Sequence, residues 1–205
     1  MKVTTLAVPD VLLIEGVIHR DDRGAFSETY RASGFAEAGV RVTFVQENLA
    51  RTAEAGVLRG LHFQREPHGK DKLIQVLAGT IWDGAVDIRP GSPTLGRWVA
   101  ASLSADEPRQ LFVPRGFAHG YLTRTPDCAV LYKAGAYYAP QAELGVRWDD
   151  PALAIPWPLA ASEISLNARD AAWPPFAEVV KRLTAQAKNS TPSPLAGEGG
   201  PEGVG

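Results

Sequence analysis

Between about Val11 and Lys133 short apolar-polar runs alternate with Gly, Pro and Asp. Val42–Gln46, Lys72–Leu77, Thr80–Ile88, Trp98–Leu103, Gln110–Val113 and Ala129–Lys133 each have the length and residue types of a strand. Strands this short, at this spacing, predict an all-β sandwich or barrel. Two helices interrupt the pattern. One covers Ala32–Ala38 and ends at Gly39; the other is the amphipathic segment Phe176–Leu183, apolar at positions 176, 179, 180 and 183. Leu73–Leu77 runs through Ala78-Gly79 into Thr80–Ile88, which reads as a hairpin. A two-residue turn there sets Lys72 opposite Ala85, with Asp83 diagonally on the same face as a partner for the ammonium. A register slip of one residue would undo that pair. The chain has no internal repeat.

Composition narrows the class. The 205 residues are 45% hydrophobic and 21% charged, the profile of one ordinary globular domain, expected over residues 1–188. A formal net charge of −2 argues against a general nucleic-acid or anionic-membrane binder, which usually carries a basic excess. It still permits a local basic pocket for one phosphorylated ligand. The single cysteine, Cys128, can make neither an internal disulfide nor a thiolate cluster. The apolar run Val11–Ile14 is short for a signal segment, and no stretch approaches the ~20 residues of a membrane span. A cytoplasmic protein is expected. Eight of the last 17 residues, Asn189–Gly205, are Gly or Pro and none is aromatic, so that segment is expected to be a disordered tail.

The chemistry-bearing residues gather around Gly60–Gly79 and Pro114–His119. Arg59 and His62 would face opposite sides of a regular strand, but a bulge at the intervening Gly60 would turn both inward. Taken alone, His62 reads as a hydrogen-bonded core histidine; Arg59, Lys72 and His119 beside it favour a polar pocket. Gly60, Glu66, His68, Lys72 and Gly79, then Pro114, Gly116 and His119, keep the spacing of the two motifs of the cupin barrels, which the chain resembles. Glu66 stands where the first metal-binding His of that pattern falls, and Lys72 where its carboxylate falls. An ammonium in such a site repels a divalent cation. Glu66, His68 and His119 remain as an unusual three-ligand alternative.

More specifically, the chain resembles the dTDP-4-dehydrorhamnose 3,5-epimerase family. The matching pieces run from Asp22–Glu28 through Gln46-Glu47-Asn48, Gly56–Gln64, Lys72-Leu73, Val86–Arg89, Ser92-Pro93-Thr94, Pro114–Gly120 and Tyr132-Lys133. They continue to Glu143–Trp148, Asp150-Pro151 and Arg169-Asp170, in order, over roughly residues 3–183. The resemblance implies a cupin-type jelly roll with a few short peripheral helices. It also implies inversion of C3 and C5 of dTDP-4-dehydro-6-deoxy-D-glucose, both carbons being acidified by the C4 ketone. That chemistry requires no redox or metal cofactor. His62 would be the base, Asp170 its orienting partner, Tyr132 the acid on the opposite face, and Lys72 the cation at the enolate oxygen.

By the same resemblance Arg23, Phe26, Glu28, Gln46, Asn48, Arg59, His119, Tyr138, Glu143 and Arg169 would bind the nucleotide sugar. Guanidinium forks suit its diphosphate and the aromatic faces its base. In the family Arg23 and Glu28 reach into the partner subunit's site, so a homodimer is implied. Lys70 stands where relatives commonly carry Gln, Glu47 where they carry Asp, and Arg169 where they carry Lys. Arg65 and Glu66 replace a mostly apolar pair. None of these departures removes a proposed catalytic group, but together they leave the stereochemical outcome open; the alternatives to the double epimerase are a single-centre epimerase or 3,4-ketoisomerase of the same kind and a non-catalytic sugar-nucleotide-binding cupin.

Overall fold

The computed structural model describes residues 1–190, with side chains to residue 188. Eleven of the strands form two antiparallel sheets packed face to face. The first has six strands: β1 (Lys2–Thr5), β2 (Leu12–Glu15), β10 (Arg109–Val113), β7 (Lys72–Ala78), β12 (Cys128–Ala134) and β5 (Gln46–Thr52), in that spatial order. The second has five: β13 (Glu143–Gly145), β6 (Leu58–Gln64), β11 (Phe117–Thr123), β8 (Thr80–Asp87) and β9 (Trp98–Ser104). A separate hairpin joins β3 (His19–Asp21) to β4 (Gly24–Phe26). This is the expected all-β jelly roll, with peripheral helices α1 (Ala32–Glu37), α2 (Ala168–Ala171) and α3 (Phe176–Ser190). Among the described residues no helix is long and apolar enough to cross a membrane.

Strand alternation sorts the side chains into three layers. Ile74 and Val76 of β7, Ile81 and Ala85 of β8, Leu111, Val113, Phe117 and Val130 fill the space between the sheets. On the outside of the five-stranded sheet, Leu61, Phe63, Val86 and Ala118 are covered by Val146, Leu153 and Val179, so α3 packs there. On the outside of the six-stranded sheet, α1 brings Phe35 over Ile14, Leu73 and Phe112. The same outer face leaves Leu49 of β5 and Leu77 of β7 48% and 47% exposed.

The expected β7–β8 hairpin does not form. β7 pairs with β10 and β12, whereas β8 pairs with β11 and β9. Gly79, at φ +75°, turns the chain from one sheet into the other. Both strands carry an apolar inward face, and the two faces satisfy each other across the sandwich rather than along a ladder. Lys72 therefore lies opposite Val113 and Ala134, not Ala85. The strand expected at Val42–Gln46 begins only at Gln46. Val42 and Phe44 owe their alternation to packing beneath α1, which mimics a strand. The C-terminal helix runs on from the expected Phe176–Leu183 to Ser190 and so includes the first two positions of the expected tail; residues 191–205 lie outside the described residues.

Candidate active site

A cavity of about 190 Å³ opens between the sheets. β6 contributes Arg59 and His62, β7 Lys72, β11 His119 and Tyr121, β12 Tyr132, and β13 Glu143. Arg169 and Asp170 reach it from α2.

The expected bulge on β6 is present. His119 of β11 faces His62 and Tyr121 faces Arg59, so three steps along β6 match two along β11. One extra residue reverses the strand's parity, and Arg59 and His62 both face inward. Gly60 sits at φ +131°, and a Cβ there would lie 2.5 Å from the Cα of Gly120. Only glycine fits. Its N–H donates to Asp170 Oδ2 (3.1 Å), while Asp170 Oδ1 lies 2.8 Å from His62 Nε2. Asn167 caps α2 by accepting from the Asp170 N–H (2.7 Å), which fixes the carboxylate beside β6. The carboxylate of Asp170 can only accept, so the neutral His62 carries its proton on Nε2 and keeps the Nδ1 lone pair. Burial works against the charge on Asp170, but hydrogen bonds from His62 and Gly60 and the Arg169 guanidinium hold its pKa below the usual range.

Lys72 Nζ lies 3.3 Å from His119 Nδ1, and His119 Nε2 lies 2.6 Å from Asp83 Oδ1. Burial lowers the pKa of Lys72 to about 8; Lys70 pushes the same way, and Asp83 and Glu143 oppose it. The side chain is thus an ammonium at neutral pH. Burial also raises the Tyr132 phenol, and Glu143 adds to the effect, so this group keeps its proton. At the mouth, Glu143 Oε2 accepts from Tyr138 Oη (2.8 Å) and Arg169 Nη1 (2.7 Å). Lys70 Nζ sits 5.0 Å from the centre of the Tyr138 ring. Gln46 Nε2 donates to Asn48 Oδ1 (2.9 Å), and Gln46 Oε1 accepts from the Tyr138 N–H (2.9 Å).

The structure therefore brings together His62, Lys72, Tyr132, Asp170, Arg59, His119, Glu143 and Arg169, with Gln46, Asn48 and Tyr138 joined to one another beside them. Arg23, Phe26 and Glu28 do not reach the cavity of a single chain. Arg23 pairs with Asp21, Glu28 with Arg31, and Phe26 is 73% exposed. The Glu66–His68–His119 alternative does not assemble: among the described residues no three His, Cys, Asp or Glu side chains are placed to hold a metal ion. Glu66 instead lines a separate groove under α3.

Sequence reasoning missed Trp173, whose ring stands edge-on to His62 at 6.0 Å. The available signal was Gly145, where a Cβ would lie 2.4 Å from the Trp173 ring.

The fold and cavity define the class: a cupin-type jelly roll enclosing a cationic pocket lined with acid–base side chains. The chain belongs to the dTDP-4-dehydrorhamnose 3,5-epimerase family, whose family model matches residues 5–178. The protein of that name from Salmonella typhimurium is 46% identical over 175 residues, covering 85% of this chain and 94% of its own. The crystal structure of dTDP-6-deoxy-D-glucose-3,5-epimerase from Legionella pneumophila, in complex with dTDP-4-keto-L-rhamnose, superposes with TM-score 0.82 at 40% identity, over 87% of this chain and 96% of that one. A 3'-monoepimerase from Streptomyces bikiniensis, solved with dTDP as a His-to-Asn, Tyr-to-Phe double mutant, superposes with TM-score 0.79 at 32% identity, over 87% and 89%.

Proposed function

We propose that this chain inverts C3 and C5 of dTDP-4-dehydro-6-deoxy-D-glucose, giving dTDP-4-dehydro-L-rhamnose. The observation that carries the reading is the convergence of His62, Tyr132 and Lys72 on one cavity. His62 Nδ1 takes the proton from the carbon next to the ketone, and the electron pair moves onto the C4 oxygen as an enolate. The Lys72 ammonium stabilises that oxygen, and Asp170 stabilises the imidazolium. Tyr132 returns a proton to the same carbon from the opposite face, which inverts it. The double mutant of the Streptomyces bikiniensis relative supports the pairing, because its two altered positions are spaced as His62 and Tyr132 are.

Arg59 and Arg169 suit the diphosphate, Tyr138 the base, and Gln46, Asn48 and Glu143 the remaining polar groups, while His119 lies deeper, against Lys72 on the sugar side of the cavity. Arg23, Phe26 and Glu28 complete the site of a second copy in a homodimer, for which the exposed Leu49 and Leu77 offer an apolar contact face. Incubation with the 4-keto substrate in heavy water tests the reading. Deuterium should enter at both C3 and C5; no exchange at either would refute it. The monoepimerase relative gives specific support to a second reading, inversion at one centre, which labelling of one carbon alone would establish.

A further inference from the structure

Two histidine–aspartate pairs flank this cavity, and the reaction described above uses one. The other is built by β8 and β11. Asp83 lies directly across from Tyr121, and His119 across from Ala85, so the Asp83 and His119 side chains share the inward face. The Asp83 side chain is fully buried. Its Oδ1 lies 2.6 Å from His119 Nε2, and His119 Nδ1 lies 3.3 Å from Lys72 Nζ.

The donor inventory fixes the protons in this chain. A carboxylate accepts only, so Nε2–H donates to Asp83 and Nδ1 is left as an acceptor. An ammonium donates only, so Lys72 fills that acceptor. The opposite tautomer would aim an N–H at the ammonium and push it away. One of the three N–H bonds of Lys72 is thereby committed, and the other two are left for the cavity. Resting on the epimerase reading, we propose that Asp83 is a positioning residue of the reaction: it fixes the tautomer of His119, which in turn holds the Lys72 ammonium where the enolate oxygen forms.

A second observation sets this apart from a purely structural role. Asp83 Oδ2 is buried without a hydrogen-bond partner. A buried carboxylate satisfied on one oxygen is a poor stabilising element, since the desolvation of its charge is incompletely offset. The charges acting on Lys72 are Asp83, Glu143 and Lys70, with His119 in contact and His62 and Tyr132 lining the same cavity; those acting on His119 are Asp83, Lys72 and His62. Without the anion at position 83, Glu143 alone favours the charged form of Lys72, against Lys70 and burial.

The test is Asp83→Asn in the full chain, assayed beside the wild type for turnover across pH and for dTDP affinity. The expected result is a kcat lower by about ten- to a hundred-fold with dTDP affinity unchanged. The alkaline limb of the pH profile should also move down by about half a unit or more. A merely structural role would leave that limb in place. An unmoved limb or an unchanged kcat overturns the proposal.

Should the variant not fold, ¹⁵N NMR of the histidines in the wild type decides. The Nε2–H tautomer of His119 supports the arrangement, and the Nδ1–H tautomer or a protonated ring at neutral pH overturns it. If the wild type exchanges neither C3 nor C5, the epimerase reading falls with Asp83's part in it. The NMR result still tells whether the Asp83–His119–Lys72 chain exists.

Discussion

The floor and the rim of the cavity are built differently. On the floor, Asp170 and Asp83 are fully buried, His119 is buried, and each is held by at least one named partner within a single chain. On the rim, Tyr138 is 50% exposed and Phe26 73%, and Arg23 and Glu28 bond only to neighbours on the surface. Groups that act on a bond must be pre-organised, because a small misplacement costs rate. Groups that hold a nucleotide can be assembled from several segments, because each contributes to binding separately. The floor should therefore govern kcat and the rim KM.

The strongest test of that division is His62→Ala. It should lower kcat by about 10²–10⁴-fold and abolish deuterium exchange while dTDP still binds, as read by calorimetry. Loss of binding instead would place His62 on the recognition side. Next is Lys72→Met, for which stopped-flow or steady-state turnover should fall by about 10²–10³-fold, the usual size of an oxyanion-stabilising group. If KM rises and kcat is spared, the ammonium reads phosphate and the floor has been misassigned.

pH sharpens the comparison further. Lys72 has a folded pKa of about 8, below the 10.5 of a free lysine, and in the proposed mechanism the ammonium is the active form. Its contribution is complete below about 8 and is lost as pH rises through that value, about tenfold in kcat per unit. Between about 8 and 10.5 the unfolded chain binds a proton at this position that the folded chain does not. On this group's account, stability in denaturant titrations should rise with pH across that window. The smallest effect belongs to the rim. Phe26→Ala should raise KM about fivefold, the equivalent of roughly 1 kcal/mol of stacking, and leave kcat alone. A fall in kcat without a change in KM would break the distinction.

Legibility in the sequence follows the same line. The strands facing the apolar core were readable from their residue types, since period-two burial leaves its mark on composition. β5 was not, because its inward residues Gln46 and Asn48 face the polar site, and the nearby Val42 and Phe44 supplied a misleading alternation. The inward turn of Arg59 and His62 was readable from one glycine. Tyr132 and Asp170 were selected only by resemblance, since neither a strand tyrosine nor a capped aspartate is distinctive. The direct Lys72–Asp83 pair expected from a hairpin does not form: His119 stands between the two side chains, and Asp83 acts directly on the ammonium only through its charge. A hairpin and a crossover are equally compatible with a glycine after an apolar strand, and only the packing of β7 against β8 across the sandwich decides between them. The His119 ring that bridges the two side chains follows from that packing.

Gly60 supports both halves of the proposed site. Its bulge turns Arg59 and His62 inward from one strand, its amide donates to the carboxylate beside His62, and its bare α-carbon lets β11 close in. Any side chain placed there would prise the two strands apart and rotate Arg59 and His62 out of step, so affinity and rate would decay together.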